Sequence, residues 1–537
     1  MALSKRIKVA LPDKEIIVRG KGKYRYVYKV LTTFRNDKGQ PTNTRSAIGK
    51  LDEESGMLIP NDNYWEYFGN TTTETELIIS NEAQLFDVRS IGATFLIGKI
   101  LESLGVTGIL MNTFGASKAS AIITAIIYMV CRGNVFEYIS DWHESHTYTE
   151  APLTSPGSSA LFSSITFEER MAFFKAWVLQ QANNEYFAYD VTSFSSYATG
   201  ITETEWGYNR DKEKLPQINL GCYLGQKSGL PIFYVTYPGS IVDKSHMSYM
   251  MAYNEPLGIS KTCFVMDKGF CSTANVEYMH SNELPYIMGV DITHKSTRAA
   301  IDEVREGIVS MRYLVNTGIY ARCIHSRFYG STSTMHIYFD PDLAERQRRD
   351  LYRIVEAKEE ILSQLEQLTK KEAKRYQNHY NITLAENGTF TYERNYEKID
   401  VAAMNCGFFC LLTNTCAESA KVLSIYKRKD TIEKGFDDLK NYIDMKRLRT
   451  HSSNTTDGKM FCAFIALIGA IEIVNRLSTF MKEKSMSKDA VIFELEKIKI
   501  VFMNDGRRLI NPVTKTQRTI LKLCGFSEDD IKLYISN

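Results

Sequence analysis

The spacing of apolar and polar residues changes several times along the chain, and each change marks a different kind of element. Residues 1–82 alternate aromatic or β-branched residues with polar ones, as in Tyr24-Arg25-Tyr26-Val27-Tyr28-Lys29-Val30, and the run breaks at Asn36-Asp37-Lys38-Gly39. A period of two followed by turn residues predicts a hairpin in a small β-rich unit. Over 83–182 the period lengthens: Ile91, Phe95, Leu96 and Ile100 recur at helical spacing, and Ile122 to Val130 is apolar on nearly every face. The break Thr154-Ser155-Pro156-Gly157-Ser158-Ser159 has N-cap character, and Thr166 to Arg170 opens the next helix. This helical region is expected to be a DNA-binding domain, with a helix-turn-helix as one form it could take and a plain helical bundle as the other.

At 183 the period returns to two. Tyr186–Phe194, Gln217–Leu224 and Pro231–Tyr237 read as three successive strands, the last two joined across Gly225-Gln226-Lys227-Ser228-Gly229. A helix over Ser245–Tyr253, a strand over Thr262–Met266, a helix over Ala274–Ser281 and a strand over Pro285–Val290 follow. Three strands in a meander, then strand, helix, strand, is the element order of an RNase H-like core, a mixed five-stranded sheet flanked by helices. The stretch 292–400 reads as an insertion, with a strand at Met335–Phe339 and a long charged helix over Leu343–Tyr376. Over 401–450 the core resumes with strand Gly407–Leu412 and a helix from Glu418 to about Ile443, and 451–537 is mainly helical. The fold class expected is α/β: this core in two parts, 183–291 and 401–450, with the β-rich unit before it and helical domains on its flanks.

Composition narrows the function only slightly. With 44% hydrophobic and 24% charged residues the chain is globular, and a net charge of +2 leaves any DNA surface to local clustering. Ten cysteines are scattered from Cys131 to Cys524 with no CxxC pair, which favours a reducing compartment and no zinc site. The N-terminus MALSKRIKVALPDKE lacks the apolar core of a signal peptide, and the best membrane candidate, Phe461–Ile471, stops at Glu472. No membrane association and a cytoplasmic location are therefore expected.

The candidate chemistry lies in three acids. Asp190 sits in the first core strand after Tyr186-Phe187-Ala188-Tyr189, and Asp267 ends the apolar run Cys263-Phe264-Val265-Met266 ahead of Lys268-Gly269-Phe270. Alone, either is a turn former or helix cap. At the same edge of adjacent parallel strands they would repel one another without a hard cation between them. Tyr426, Lys429, Glu433 and Lys440 follow at gaps of three, four and seven, which confines them to an arc of about 60° on an ideal helix. Beside them runs an apolar stripe of Ile425, Ile432, Phe436, Leu439 and Ile443. Lys421–Thr450 holds nine basic and five acidic residues, which suits a phosphate backbone or, alternatively, a solvated face with i, i+4 pairs. His143 and His146 after Trp142 lack an evident third ligand and read as a surface turn, and Gly221–Gly229 lacks the order of a P-loop.

Tyr189-Asp190-Val191-Thr192, Asp267-Lys268-Gly269-Phe270 and Tyr426-x2-Lys429-x3-Glu433-x6-Lys440 together resemble the motifs of bacterial DDE transposases of the insertion-sequence-four superfamily. That group carries a tyrosine, arginine, glutamate, lysine signature at these gaps. Here its arginine position is Lys429, next to Arg428, which replaces a bidentate clamp by a point charge. The resemblance implies Asp190, Asp267 and Glu433 as catalytic acids holding two Mg²⁺ or Mn²⁺ ions, with Tyr426, Arg428, Lys429 and Lys440 on the DNA. It also implies cleavage at terminal inverted repeats, strand transfer into target DNA, a homodimeric synaptic complex and, through the tyrosine signature, a hairpin intermediate. Some relatives stack a flipped base on a tryptophan of the insertion; none of Trp65, Trp142, Trp177 and Trp206 lies there, which leaves Tyr426, Phe328 or Tyr329. The rivals are an RNase H-like nuclease without strand transfer and a domesticated, non-catalytic DNA-binding protein.

Overall fold

The alternating pattern of the N-terminal residues becomes four antiparallel strands, Ile16–Arg19, Tyr26–Arg35, Pro41–Leu51 and Leu58–Pro60, each bonded to the next. Val27, Ile48, Leu51 and Leu58 are buried there, and the helix Asp62–Phe68 packs Tyr64, Tyr67 and Phe68 onto them. The computed structural model describes residues 8–20, 25–35, 39–52, 55–68, 85–146, 152–181, 185–259 and 262–536. Tyr24 and the expected turn residues Asn36, Asp37 and Lys38 lie outside the described residues. The chain divides into two units, 1–84 and 85–537.

The second unit is mixed α/β and is built on one nine-stranded sheet. Its strands are β1 (Phe187–Ser195), β2 (Gln217–Gly225), β3 (Pro231–Pro238), β4 (Phe264–Met266), β5 (Tyr286–Val290), β6 (Leu314–Asn316), β7 (Ile319–Phe328), β8 (Ser331–Phe339) and β9 (Phe408–Thr413). In space they run β6-β7-β8-β9-β5-β4-β1-β2-β3. Pairing is parallel for β1 with β4 and β4 with β5, and antiparallel elsewhere. Every residue of β2 and β5 is buried, as expected of strands covered on both faces.

A five-stranded sheet was expected and this one has nine strands: the expected strands Gly407–Leu412 and Met335–Phe339 appear as β9 and β8 of the same sheet, and β6 and β7 are additional. Beyond β5 the neighbour is β9, and β8, β7 and β6 extend the sheet outward, so part of the 292–400 stretch joins the main sheet. The rest of that stretch has a small core of its own, in which Val355 and Leu362 of helix Pro341–Gln364 meet Tyr380 and Ile399. The long helix ends at Gln364, earlier than the leucine spacing indicates. Thr369 and Glu372 form a capping box that starts a separate turn, Lys370–Ala373. A further three-stranded sheet joins Leu85–Ser90 to Lys499–Met503 and Arg508–Ile510, within regions expected to be helical.

Helices Ser155–Ser164 and Phe167–Gln181 are separated by two residues, and a reciprocal Thr166–Glu169 cap opens the second. They pack with Gly92–Ser103 and Ala116–Arg132 around the 32-residue helix Ser453–Lys484. That helix is long and apolar enough to cross a membrane by length and composition, which corrects the expectation that no stretch is. Its most apolar window is 78% buried inside this protein. Gly458 sets the closest approach, since a Cβ there would lie 2.0 Å from the Phe162 carbonyl oxygen.

Candidate active site

The ladder between β1 and β4 pairs Phe187 with Phe264, Ala188 with Val265 and Tyr189 with Met266. The next rung in that register falls on Asp190 and Asp267. Neighbouring strands lie about 4.8 Å apart, so the two aspartates stand side by side where the ladder opens. Asp190 is the one residue of β1 that is not fully buried. Asp267 keeps an extended backbone, φ −77° and ψ 165°, and caps the turn Lys268–Phe270 by accepting the Lys268 N–H at 2.8 Å.

The two carboxylates differ in surroundings. Asp190 has 21% of its side chain exposed, and burial pushes its pKa up to about 6. The Arg210 guanidinium, 3.6 Å away, and the Val191 N–H at 2.7 Å act against that rise, Asp267 adds to it, and Lys429 opposes it. Asp267 instead accepts the Tyr426 hydroxyl at 3.1 Å and has the Lys429 ammonium at 3.9 Å. Burial raises the Tyr426 hydroxyl well above the usual phenol range, with Asp267 reinforcing the effect, so it stays a donor. Gly289 of β5 makes room for this contact: a Cβ there would lie 2.6 Å from the Tyr426 oxygen.

Glu433 arrives from a helix that is interrupted rather than continuous. Ser419–Lys427 and Asp430–Asp437 are separate helices, followed by a π-helical turn, Asp438–Tyr442. At the junction Arg428, Lys429, Thr431 and Ile432 all donate their N–H to the carbonyl three residues back, which tightens the chain locally. Lys429 bridges the acids, 3.3 Å from Glu433 and 3.9 Å from Asp267, while Glu433 remains 63% exposed. The stripe Ile425, Ile432, Phe436, Leu439 and Ile443 is buried as expected.

The expected common face holds in part. Tyr426 and Lys429 both reach Asp267, but Lys440 is 9% exposed and its ammonium meets Asp211 at 2.7 Å. Arg428 stands on the exposed turn. Asp190, Asp267 and Glu433 line one cleft of about 1130 Å³ together with Arg210, Asp211 and Lys440. Among the described residues no three His, Cys, Asp or Glu side chains stand close enough to hold one ion. Asp190 and Asp267 form the pair whose hard oxygens suit Mg²⁺ or Mn²⁺. Glu433 stands apart from that pair, its carboxylate on the Lys429 ammonium.

Sequence reasoning missed Arg210, which contacts Asp190 and bonds Asp243 at 2.7 Å. The charge-dense run Arg210–Lys214 was its only signal. Of the aromatic candidates, Phe328 is buried in the core, Tyr329 stacks on His294 at 4.6 Å, and Tyr426 turns toward Asp267. His146 stacks on Trp142 and lies 3.4 Å from Glu496, which places it in a packing contact.

A family model described as the transposase DDE domain matches residues 184–468. No curated protein matches the chain. Among solved structures it is similar to a piggyBac transposase seen by cryo-EM in a synaptic complex with hairpin DNA. The identity is 9% and the TM-score 0.35, over 75% of this chain and 78% of that one.

Proposed function

The chain belongs to the transposase DDE-domain family and is a DDE transposase, and from that premise we propose that Asp190, Asp267 and Glu433 are its catalytic acids. The observation that carries this is the shared rung: two aspartates side by side at the open end of a parallel ladder, facing a cleft that also receives Glu433. The order β3-β2-β1-β4-β5 within the larger sheet supports an RNase H-like core. The Tyr426, Lys429, Glu433, Lys440 spacing supports membership of the insertion-sequence-four superfamily.

The proposed reaction is cleavage at the terminal inverted repeats of the chain's own element and transfer of the freed 3′-ends into target DNA, within a synaptic dimer. Asp190 and Asp267 would hold the divalent ions, with Glu433 completing the set. A divalent ion in that position supplies Lewis-acid stabilisation of charge on the phosphate undergoing displacement. Tyr426 fixes the Asp267 carboxylate by its hydrogen bond and so presets one wall of the site. Arg210 offsets the negative charge of Asp190. Lys429 neutralises Asp267 and Glu433 in the DNA-free protein and is placed to move onto a phosphate when Glu433 turns inward, as a point-charge contact rather than a bidentate one.

The test is a labelled duplex carrying the element's own ends, incubated with protein and Mg²⁺, with Asp190→Ala alongside. Wild type should nick and join the ends, and the variant should lose about 10²- to 10³-fold of that rate or more, the range for removal of a key electrostatic group being the floor. Absence of Mg²⁺-dependent nicking by wild type would overturn the proposal. Nicking without joined products would assign a nuclease in its place.

A further inference from the structure

Past Lys446, which lines the catalytic cleft, the chain continues as Arg447-Leu448-Arg449-Thr450-His451 and enters the helix Ser453–Lys484. Arg447 lies over the Tyr197 ring at 4.7 Å. Arg449, Thr450 and His451 line two successive cavities, the first of about 740 Å³ shared with Ser195–Gly200 and the second of about 700 Å³. In the second, Arg449 and His451 face Lys459, with Ser155 and Ser159 on the opposite helix. Glu137, which is exposed, is the one acid among its lining residues.

Lys459 is the unusual member. It is 4% exposed, and among the described residues its ammonium bonds neutral acceptors, the Leu448 carbonyl at 3.1 Å and Asn134 Oδ1 at 3.4 Å, and lies over the Phe136 ring at 5.7 Å. Burial lowers its pKa to about 7, Arg449 lowers it further, and Asp444, itself paired with Arg449 at 3.2 Å, acts the other way. Arg449 is held with φ +50°, a left-handed backbone that an arginine rarely adopts. A buried cation facing a guanidinium and an imidazole across a cavity is a poor arrangement for stability and a good one for an anion.

We propose that this cavity is a second phosphate site, which receives a backbone phosphate of the DNA whose scissile bond lies over Asp190 and Asp267. The proposal rests on the transposase function above. Continuity with the cleft selects DNA over other anions: Lys446 and Arg449 are three residues apart, at most about 10 Å along the chain. A DNA strand carries a phosphate for about every 3.4 Å of helix axis, so a single strand running along this stretch can place neighbouring phosphates at both positions.

The experiment measures duplex affinity by anisotropy over a salt series, with full-length wild type, Lys459→Met and the double variant Arg449→Gln/His451→Gln, each checked for an unchanged melting profile or one shifted upward. Methionine keeps the length of Lys459 without its charge. Each variant should bind every sequence more weakly and lower the slope of log K against log salt by about one. Should Lys459→Met not fold, the double variant carries the same test. Folded variants with the wild-type slope would overturn the site while leaving the transposase function intact. Loss of binding and cutting by wild type itself would overturn both. A parallel titration with inorganic phosphate separates the sources: phosphate that stabilises wild type and competes with DNA supports the site. Phosphate that stabilises wild type without affecting DNA binding would mean that the cavity takes a free anion, and would overturn it.

Discussion

Asp190 shows how a single residue sets a conflict between stability and chemistry. Its pKa is about 6 in the folded chain against an ordinary value of 3.8, so the folded state binds a proton more tightly than the unfolded one. The stability linked to that proton is complete below pH 4 and is lost as pH rises through 6, leaving an ionised carboxylate among buried neighbours. In chelator, Asp190→Asn is therefore expected to be more stable than wild type at pH 8 by about 2 kcal/mol, after allowance for the fifth of the side chain still exposed. The gap should close toward pH 4. Urea unfolding of both proteins across that range checks it, and a gap independent of pH would assign the effect to packing.

The elements make the same point on a larger scale, because close approach rather than propensity places the helix that carries Lys459. Gly458→Ala would press a methyl group on the Phe162 backbone, which cannot rotate away, and overpacking of this kind costs about 1–3 kcal/mol. Thermal melting should fall accordingly, and an unchanged midpoint would show that the two helices slide apart freely. Much of the element order was legible in the sequence: β1 to β5 begin and end within two residues of the expected strands, because a period of two over buried neighbours is a strong signal. The widening of the sheet was not. Ile319-Tyr320-Ala321-Arg322-Cys323-Ile324-His325 mixes polar and apolar residues without a clean alternation, and its strand identity comes from pairing with β8. The break at Arg428–Lys429 was equally hidden, since no Gly or Pro marks it and contacts of Tyr426 and Lys429 with Asp267 accompany it. Both aspartates were readable from strand context; Arg210 lies in a loop with no period to expose it.

On the scale of the whole molecule, the N-terminal unit has a core that shares no residue with those of the larger unit, which implies that each unit folds on its own. The core around Val27, Ile48, Leu51 and Leu58 draws on residues before 69, and the large core draws on residues from Ile91 onward. A chain starting at Leu85 should unfold cooperatively within about 3 °C of the full-length protein, a shift of order 1 kcal/mol or less for a unit of this size. A drop of 10 °C or more in calorimetry would show that the N-terminal residues complete the larger core. The rung shared by Asp190 and Asp267 also has a consequence in time. Glu433, the proposed third acid, lies 166 residues after Asp267, with β6 to β9 and the small core of Val355 and Tyr380 in between. At ribosomal speeds, on the order of ten to thirty seconds separate the two. A chain abandoned during that interval carries the paired aspartates and no Glu433, so under the proposed assignment it would lack one of the three acids needed to cut the DNA around it.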